Sequence, residues 1–231
     1  MDYNALIDLA YQVRGQLWVD KVNETLRTGR LCPWVSTFHP DGLPCQLEGR
    51  TFHNGAFNAG LKMVFGDGTA WLVRFPRVGN VHDSYADEKV AMEVKALGLV
   101  REETTIPVPK VRAWGLAASN PLGLGPFVMM DFVDGVALNE LLNDPNAESP
   151  TRLIRDDISD DDIEAIYRQF ANFLLQLFKL DFDSIGNLPW PSDTEAEGPR
   201  LMRPLTFKAH TILQNGGVDT FGKACCLLFS I

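Results

Sequence analysis

The chain has 231 residues and a mass of 25.7 kDa, enough for one full domain or one and a half. Hydrophobic residues make up 45% and charged residues 22%, an ordinary balance for a globular chain that can bury a sizeable core. A formal net charge of -9 repels phosphate backbones and argues against nucleic acid as a partner.

The cysteines Cys32, Cys45, Cys225 and Cys226 include no C-x-x-C pair, and sequence neighbours bridge each other poorly. Neither zinc nor a disulfide framework is expected, and the reduced cytoplasm is the expected compartment. The N-terminus shows no basic segment leading into a long apolar core, so no signal peptide is expected. The longest apolar stretch, around Phe170 to Leu177, is short and interrupted by Asn172 and Gln176, so no membrane partner is expected.

Ala5 to Leu26 reads as a helix, with Leu6, Leu9, Ala10, Val13 and Leu17 near helical spacing. Thr28-Gly29-Arg30 ends it, and a connector runs from Cys32 to Gly49. From Gly49 the pattern turns to strands. Leu61 to Phe65 alternates, Gly66-Asp67-Gly68 signals a hairpin, and Thr69 to Phe75 returns until Pro76 stops it. Asp87 to Arg101 reads as a helix with Val90, Val94 and Leu97 on one stripe. Thr105-Ile106-Pro107-Val108-Pro109 forbids helix and starts an extended run to Trp114. Phe127 to Val133 is a strand too continuously apolar to be exposed on both faces. A short helix over Leu138 to Leu142 and a loop over Asp144 to Pro150 follow. Ser159-Asp160-Asp161-Asp162 caps a helix reaching Lys179, whose wide apolar face includes Ile163, Ile166, Tyr167, Phe170, Phe173, Leu174 and Leu177. Leu188 to Pro204 reads as loop, and Leu205 to Ile231 is ambiguous.

Four places could carry chemistry. The loop Asn54-Gly55-Ala56-Phe57-Asn58 between strands could offer backbone N–H groups to a phosphate, although an ordinary hairpin turn explains it equally well. Arg74 ends an otherwise apolar strand, on the face opposite Trp71, Val73 and Phe75, and its guanidinium suits phosphate oxygens; reaching solvent is the competing reading. Glu93 lies beside the buried stripe of its helix and could pair with Arg74. Glu88 is the rival, and both could be solvated. The Asp131 C=O and Val133 N–H could pair with an adenine edge, with Met130 behind them, although Met here also suits plain core packing.

The order of these elements resembles the aminoglycoside phosphotransferase group of protein-kinase-like enzymes, in its uncharacterised fungal branch. The resemblance rests on Phe52 to Asn58, Trp71 to Pro76, Glu93-Val94, Thr105 to Val111 and Phe127 to Gly135. It continues in Phe182 to Leu188 and Arg203 to Thr206. It implies an α+β fold in which a kinase-like small lobe, an antiparallel sheet plus one helix, carries an N-terminal helical extension and only the first helices of a large lobe. The expected divisions are 1–46, 47–135 and 136–231. The resemblance further implies ATP as the ligand, covered by Asn54 to Asn58 and held by Arg74, in the usual lysine position, and Glu93, with Asp131 and Val133 as the adenine link.

Such enzymes also need a His-Gly-Asp catalytic loop and metal-binding Asn and Asp residues. None is found, so the ligands of the expected Mg²⁺ are missing. His39-Pro40-Asp41, His82-Asp83 and Asp181-Phe182-Asp183 are lookalikes read as loop residues. The expectation is a phosphotransferase by ancestry, acting on a small-molecule hydroxyl but inactive as written and truncated at its C-terminus. A nucleotide- or partner-binding module without activity, a gene-model fragment, and a small α+β ligand-binding protein that resembles kinases by accident are the alternatives. Self-association through the uncovered apolar face of residues 163–177 is a further expectation.

Overall fold

The structure is a computed structural model that describes residues 3–49, 52–55, 57–79, 81–144, 155, 157–182 and 188. Two helices come first, α1 (Tyr3–Arg27) and α2 (Leu31–Ser36). Strands β1 (Cys45–Leu47), β2 (His53–Asn54), β3 (Asn58–Phe65) and β4 (Ala70–Pro76) follow. After helix α3 (Ala86–Glu103) come β5 (Val111–Gly115) and β6 (Phe127–Asp131), then α4 (Leu138–Leu142) and α5 (Asp160–Phe178). The fold is α+β, as the sequence led one to expect, with every strand pair antiparallel. The sheet order is β1-β3-β4-β6-β5, with β2 also paired to β3.

The β3–β4 hairpin shows how local chemistry sets this sheet. Gly68 takes φ of 85°, a left-handed value that costs glycine nothing, and its N–H donates to the Phe65 carbonyl. The Asp67 carboxylate accepts from the Thr69 N–H at 2.9 Å and the Thr69 hydroxyl at 2.8 Å. Those two hydrogen bonds hold its carboxyl below the ordinary value. With the turn pinned, β3 and β4 pair over seven residues from Asn58↔Pro76 to Val64↔Ala70.

Strand alternation then sorts side chains onto two faces. Trp71, Val73 and Phe75 of β4 join Leu61, Met63 and Phe65 of β3 and Phe127 and Met129 of β6 in one buried cluster. Val22 of α1, Leu31, Trp34 and Val35 of α2, and Cys45, Leu122 and Leu124 complete it. On the other face Val128 and Met130 pack with Val90 of α3, flanked by Leu72, Val94 and Leu97. The strand β6 is therefore apolar from Phe127 to Met130, where both its faces are covered.

Residues 32–49 are not the plain connector expected. They hold most of α2 and all of β1. Pro33 does not break α2 because it stands in the first turn, where its missing N–H leaves no helical bond unmade. Cys45, Gln46 and Leu47 find their partners in Phe65, Val64 and Met63, a pairing that local sequence does not announce. Cys45 is buried, its thiol directed at the Cys32 carbonyl at 3.4 Å, and burial pushes its pKa up. Along α1 the stripe Leu6, Leu9, Val13 and Leu17 is exposed, while Val22 and Thr25 are the buried positions.

The described residues of 1–99 and 109–132 form one compact unit, and 100–108 with 133–181 form a second. In the second unit Ser159 caps α5 as expected, its hydroxyl accepting from the Asp162 N–H at 3.1 Å. The Gln176 Oε1 accepts from the Thr105 N–H at 2.7 Å and the Thr105 hydroxyl at 3.0 Å. Residues 145–150, 183–187 and 189–231, among them Cys225, Cys226 and the sequence signals beyond Phe182, lie outside the described residues.

Candidate functional site

The residues of interest meet on the α3 side of the sheet. Arg74 points there because it alternates with Val73 and Phe75, whose side chains fill the opposite core. Gly60 lies across from Arg74 in β3, and a side chain at Gly60 would collide with Leu72 Cδ1 at 2.7 Å, so its bareness leaves room for the Leu72 side chain. On α3, Lys89 and Glu93 stand four residues apart and flank Val90, the residue that seats the helix.

The Arg74 guanidinium pairs with the Glu93 carboxylate. Lys89 Nζ reaches the same carboxylate at 2.9 Å and donates to Asn58 Oδ1 at 3.1 Å. Arg74 Nη1 lies 4.0 Å from the Met130 sulfur, so the cluster rests on an apolar floor of Met130, Val90 and Val128. The side chains of Arg74, Glu93 and Lys89 are 23%, 24% and 19% exposed, dry enough to strengthen charge interactions and open enough for a ligand atom to arrive.

Two cations here share one carboxylate. Burial, and then the neighbouring Arg74 charge, pushes the Lys89 amine down from 10.5 to about 8. Burial likewise lowers Arg74, which stays charged at any ordinary pH. The cluster keeps one positive charge that no side chain within it balances. It has no hydroxyl or thiol to act as a nucleophile, and what it can do chemically is hold an anion.

Four of the residues singled out from sequence meet in this cluster: Asn58, Arg74, Glu93 and Met130. The others are placed differently. Asn54 pairs with Ala59 in the β2–β3 ladder. The Gly55 N–H donates to the Asn58 carbonyl at 2.8 Å, closing the hairpin rather than facing a phosphate. The Gly55 carbonyl accepts from Arg77 Nη1 at 3.1 Å and the Phe57 carbonyl from the Arg77 N–H at 2.8 Å, which ties the loop to the end of β4. Ala56 lies outside the described residues. The Asp131 N–H donates to the Lys110 carbonyl at 3.0 Å, and its carboxylate accepts from Arg112 Nε at 2.5 Å. Val133 belongs to the second unit and is 69% exposed.

Lys89 is the member that sequence reading missed. The signal was there, since a Lys four residues before a Glu on a helix is a stabilising pair. It went unread because Arg74 already supplied a cation for Glu93.

Among the catalytic lookalikes, His39 is buried between Phe65 and Trp71, ring centroids 4.6 and 5.5 Å away, and its Nδ1 accepts from the Asp41 N–H. Asp83 pairs with Arg14. Among the described residues no cluster of three or more His, Cys, Asp or Glu could hold a metal ion. No described helix is long and apolar enough to cross a membrane. A cavity of about 560 Å³ lined by Cys32, Ser36, Thr37 and Cys45 lies elsewhere and gathers no charged group.

No protein-family model matches the chain, and no solved structure matches it. The chain is similar to a protein of Zygosaccharomyces rouxii named "Altered inheritance of mitochondria protein 9, mitochondrial", at 24% identity over 169 residues. That match covers 71% of this chain and 25% of the relative. A protein of the same name from Komagataella phaffii is 26% identical over 202 residues, covering 86% of this chain and 31% of the relative. The chain thus spans a third or less of the length of the curated relatives it matches.

These findings correct four expectations. Neither relative carries a phosphotransferase or kinase name, so the assignment to the aminoglycoside phosphotransferase group, the ancestral phosphotransfer activity and the kinase and transferase labels that went with them fall. The cytoplasmic placement falls with them, because both relatives are named as mitochondrial. The physical reason lies in the segments that carried the resemblance. An alternating strand, a glycine-flanked hairpin and a doubly covered strand are what an antiparallel sheet with a packed helix requires, and they specify a fold without specifying a chemistry. What the chain is similar to is a pair of fungal proteins named for altered inheritance of mitochondria.

Proposed function

We propose that this chain belongs to a mitochondrial protein and that its sheet-bearing unit is a binding module for a small phosphate-bearing ligand, gripped by Arg74 and Lys89. The observation that carries the ligand half is the convergence of two cations on the single carboxylate of Glu93, half-buried on a chain whose net charge is -9. An arginine offers a bidentate fork and a lysine a point charge, a pairing suited to phosphate oxygens. The names of the relatives support the compartment. ATP is one ligand of this class, and ADP and inorganic phosphate are others.

The site carries its own pH signature. Lys89 is faced by Arg74 from β4, Asn58 from β3 and Glu93 from its own helix. An arriving phosphate adds negative charge, raises the Lys89 pKa from about 8, and draws a proton onto the amine. Binding therefore weakens as pH rises through that value. Calorimetric titration of the whole chain with ATP, ADP and inorganic phosphate tests this at pH 7 and pH 9. Saturable binding should be tighter at pH 7, Arg74→Gln should weaken it by at least about tenfold, and Lys89→Met should flatten the pH difference. Absence of saturable binding by all three ligands, or an Arg74→Gln protein that binds as the wild type does, sinks the ligand reading. Fractionation of cells expressing the natural protein tests the compartment, and recovery in the cytosol alone overturns it.

A further inference from the structure

The second unit presents an apolar face that its described residues do not cover. No residue of α5 is buried, and Tyr167, Phe170, Leu174 and Leu177 are 67%, 58%, 51% and 41% exposed. With Ile163 they recur at intervals of four and three residues, the spacing of a two-helix seam. One flank of the helix is occupied, because Gln176 holds Thr105, so the seam is the side left open.

The charges on the helix say what fits. The first turn carries Asp160, Asp161 and Asp162, and the only cation near the far end is Lys179 at the C-cap. A parallel partner with the same sequence would stack both acidic turns and align both helix dipoles. An antiparallel copy does the reverse. With the two-fold axis at Phe170, Phe170 meets its own copy, Leu177 meets Ile163, and Lys179 arrives beside Asp161. About this axis Leu177 falls opposite Ile163 and Lys179 opposite Asp161, while Tyr167 and Leu174 fall opposite Phe173 and Ile166, which are also apolar. A two-fold interface needs this kind of self-complementarity. We propose that α5 is a self-association surface on which two copies of this chain pair antiparallel through Ile163, Tyr167, Phe170, Leu174 and Leu177.

Sedimentation equilibrium of the whole chain over a micromolar concentration series tests the pairing. A monomer–dimer equilibrium is expected, and Phe170→Glu should raise its dissociation constant by at least about 100-fold. Circular dichroism checks that this variant keeps its helix content. The orientation is tested by charge. Lys179→Glu should weaken the dimer by about tenfold, and adding Asp161→Lys to it should restore wild-type affinity. A chain that stays monomeric throughout overturns the proposal and assigns the face to a different occupant, such as a further segment of a longer protein. A wild-type dimer that survives Phe170→Glu overturns it also. A double variant that binds no tighter than Lys179→Glu alone overturns the antiparallel arrangement, since in a parallel pair position 161 meets its own copy and never position 179.

Discussion

The two faces of the sheet are built from alternate residues of the same strands, yet they solve different problems. On one face Trp71, Val73 and Phe75 belong to a buried cluster rich in packed aromatic rings. Trp34 packs on Phe127 at 4.8 Å between ring centroids, Trp18 on Phe75 at 5.8 Å, and Phe65 on Trp71 at 4.6 Å. On the other face Leu72 and Arg74 look toward α3, where a three-residue buried cluster gives way to Arg74, Lys89, Glu93 and Asn58. The comparison teaches that stability can be concentrated on the dry face, which frees the α3 face to carry charges that folding alone would not select.

The division can be broken most directly at Phe127, which is fully buried on the dry face. Phe127→Ala should cost about 3–5 kcal/mol in urea unfolding and leave phosphate affinity unchanged wherever the protein is still folded. A cost below about 1 kcal/mol would mean the dry face is not where stability sits.

The next effect belongs to Lys89 and has a defined sign. Its pKa is about 8 folded against 10.5 as a free side chain, so between these values the unfolded chain binds more protons and stability rises with pH. Below pH 8 the protonated amine carries its full penalty in the fold, on the order of 3 kcal/mol, which is relieved progressively up to pH 10.5. Unfolding free energies measured across that window should rise more steeply for the wild type than for Lys89→Met. Parallel curves would show that the amine is not held under this strain.

The smallest change, Glu93→Gln, sharpens the comparison by separating stability from binding. It leaves Arg74 and Lys89 unbalanced and should cost about 2 kcal/mol. It should also tighten phosphate binding about tenfold, because the competing carboxylate is gone. Stability and affinity moving down together would show that Glu93 positions the cations for the ligand rather than competing with it.

Much of the fold was legible in the sequence, and the reasons are local. The Asp67 turn, the alternation of β4, the Ser159 cap and the short helix at Leu138 depend on neighbours within a few residues. The strand β1 was not legible, because Cys45 to Leu47 owe their conformation to pairing with Met63 to Phe65, well along the chain. The candidate site divides in the same way. Arg74 and Glu93 stand out as charges on apolar surfaces, whereas the loop from Asn54 to Asn58 suits a phosphate cradle and an ordinary hairpin turn equally well in sequence, and its Gly55 N–H closes a hairpin. Lys89 was masked by ordinariness, since a lysine on a helix usually needs no explanation.

Cys45 gives the sheet an internal reporter of opening. It lies in the outermost strand of the sheet order, buried, with a thiol that burial makes reluctant to ionise. Alkylating reagents attack the thiolate, so in the closed fold this sulfur is both shielded and in its unreactive form. Cys32, partly open on α2, lacks that shielding. Labelling at Cys45 therefore runs at the pace of the excursions in which β1 leaves β3, and the lag behind Cys32 measures how rarely that edge of the molecule breathes.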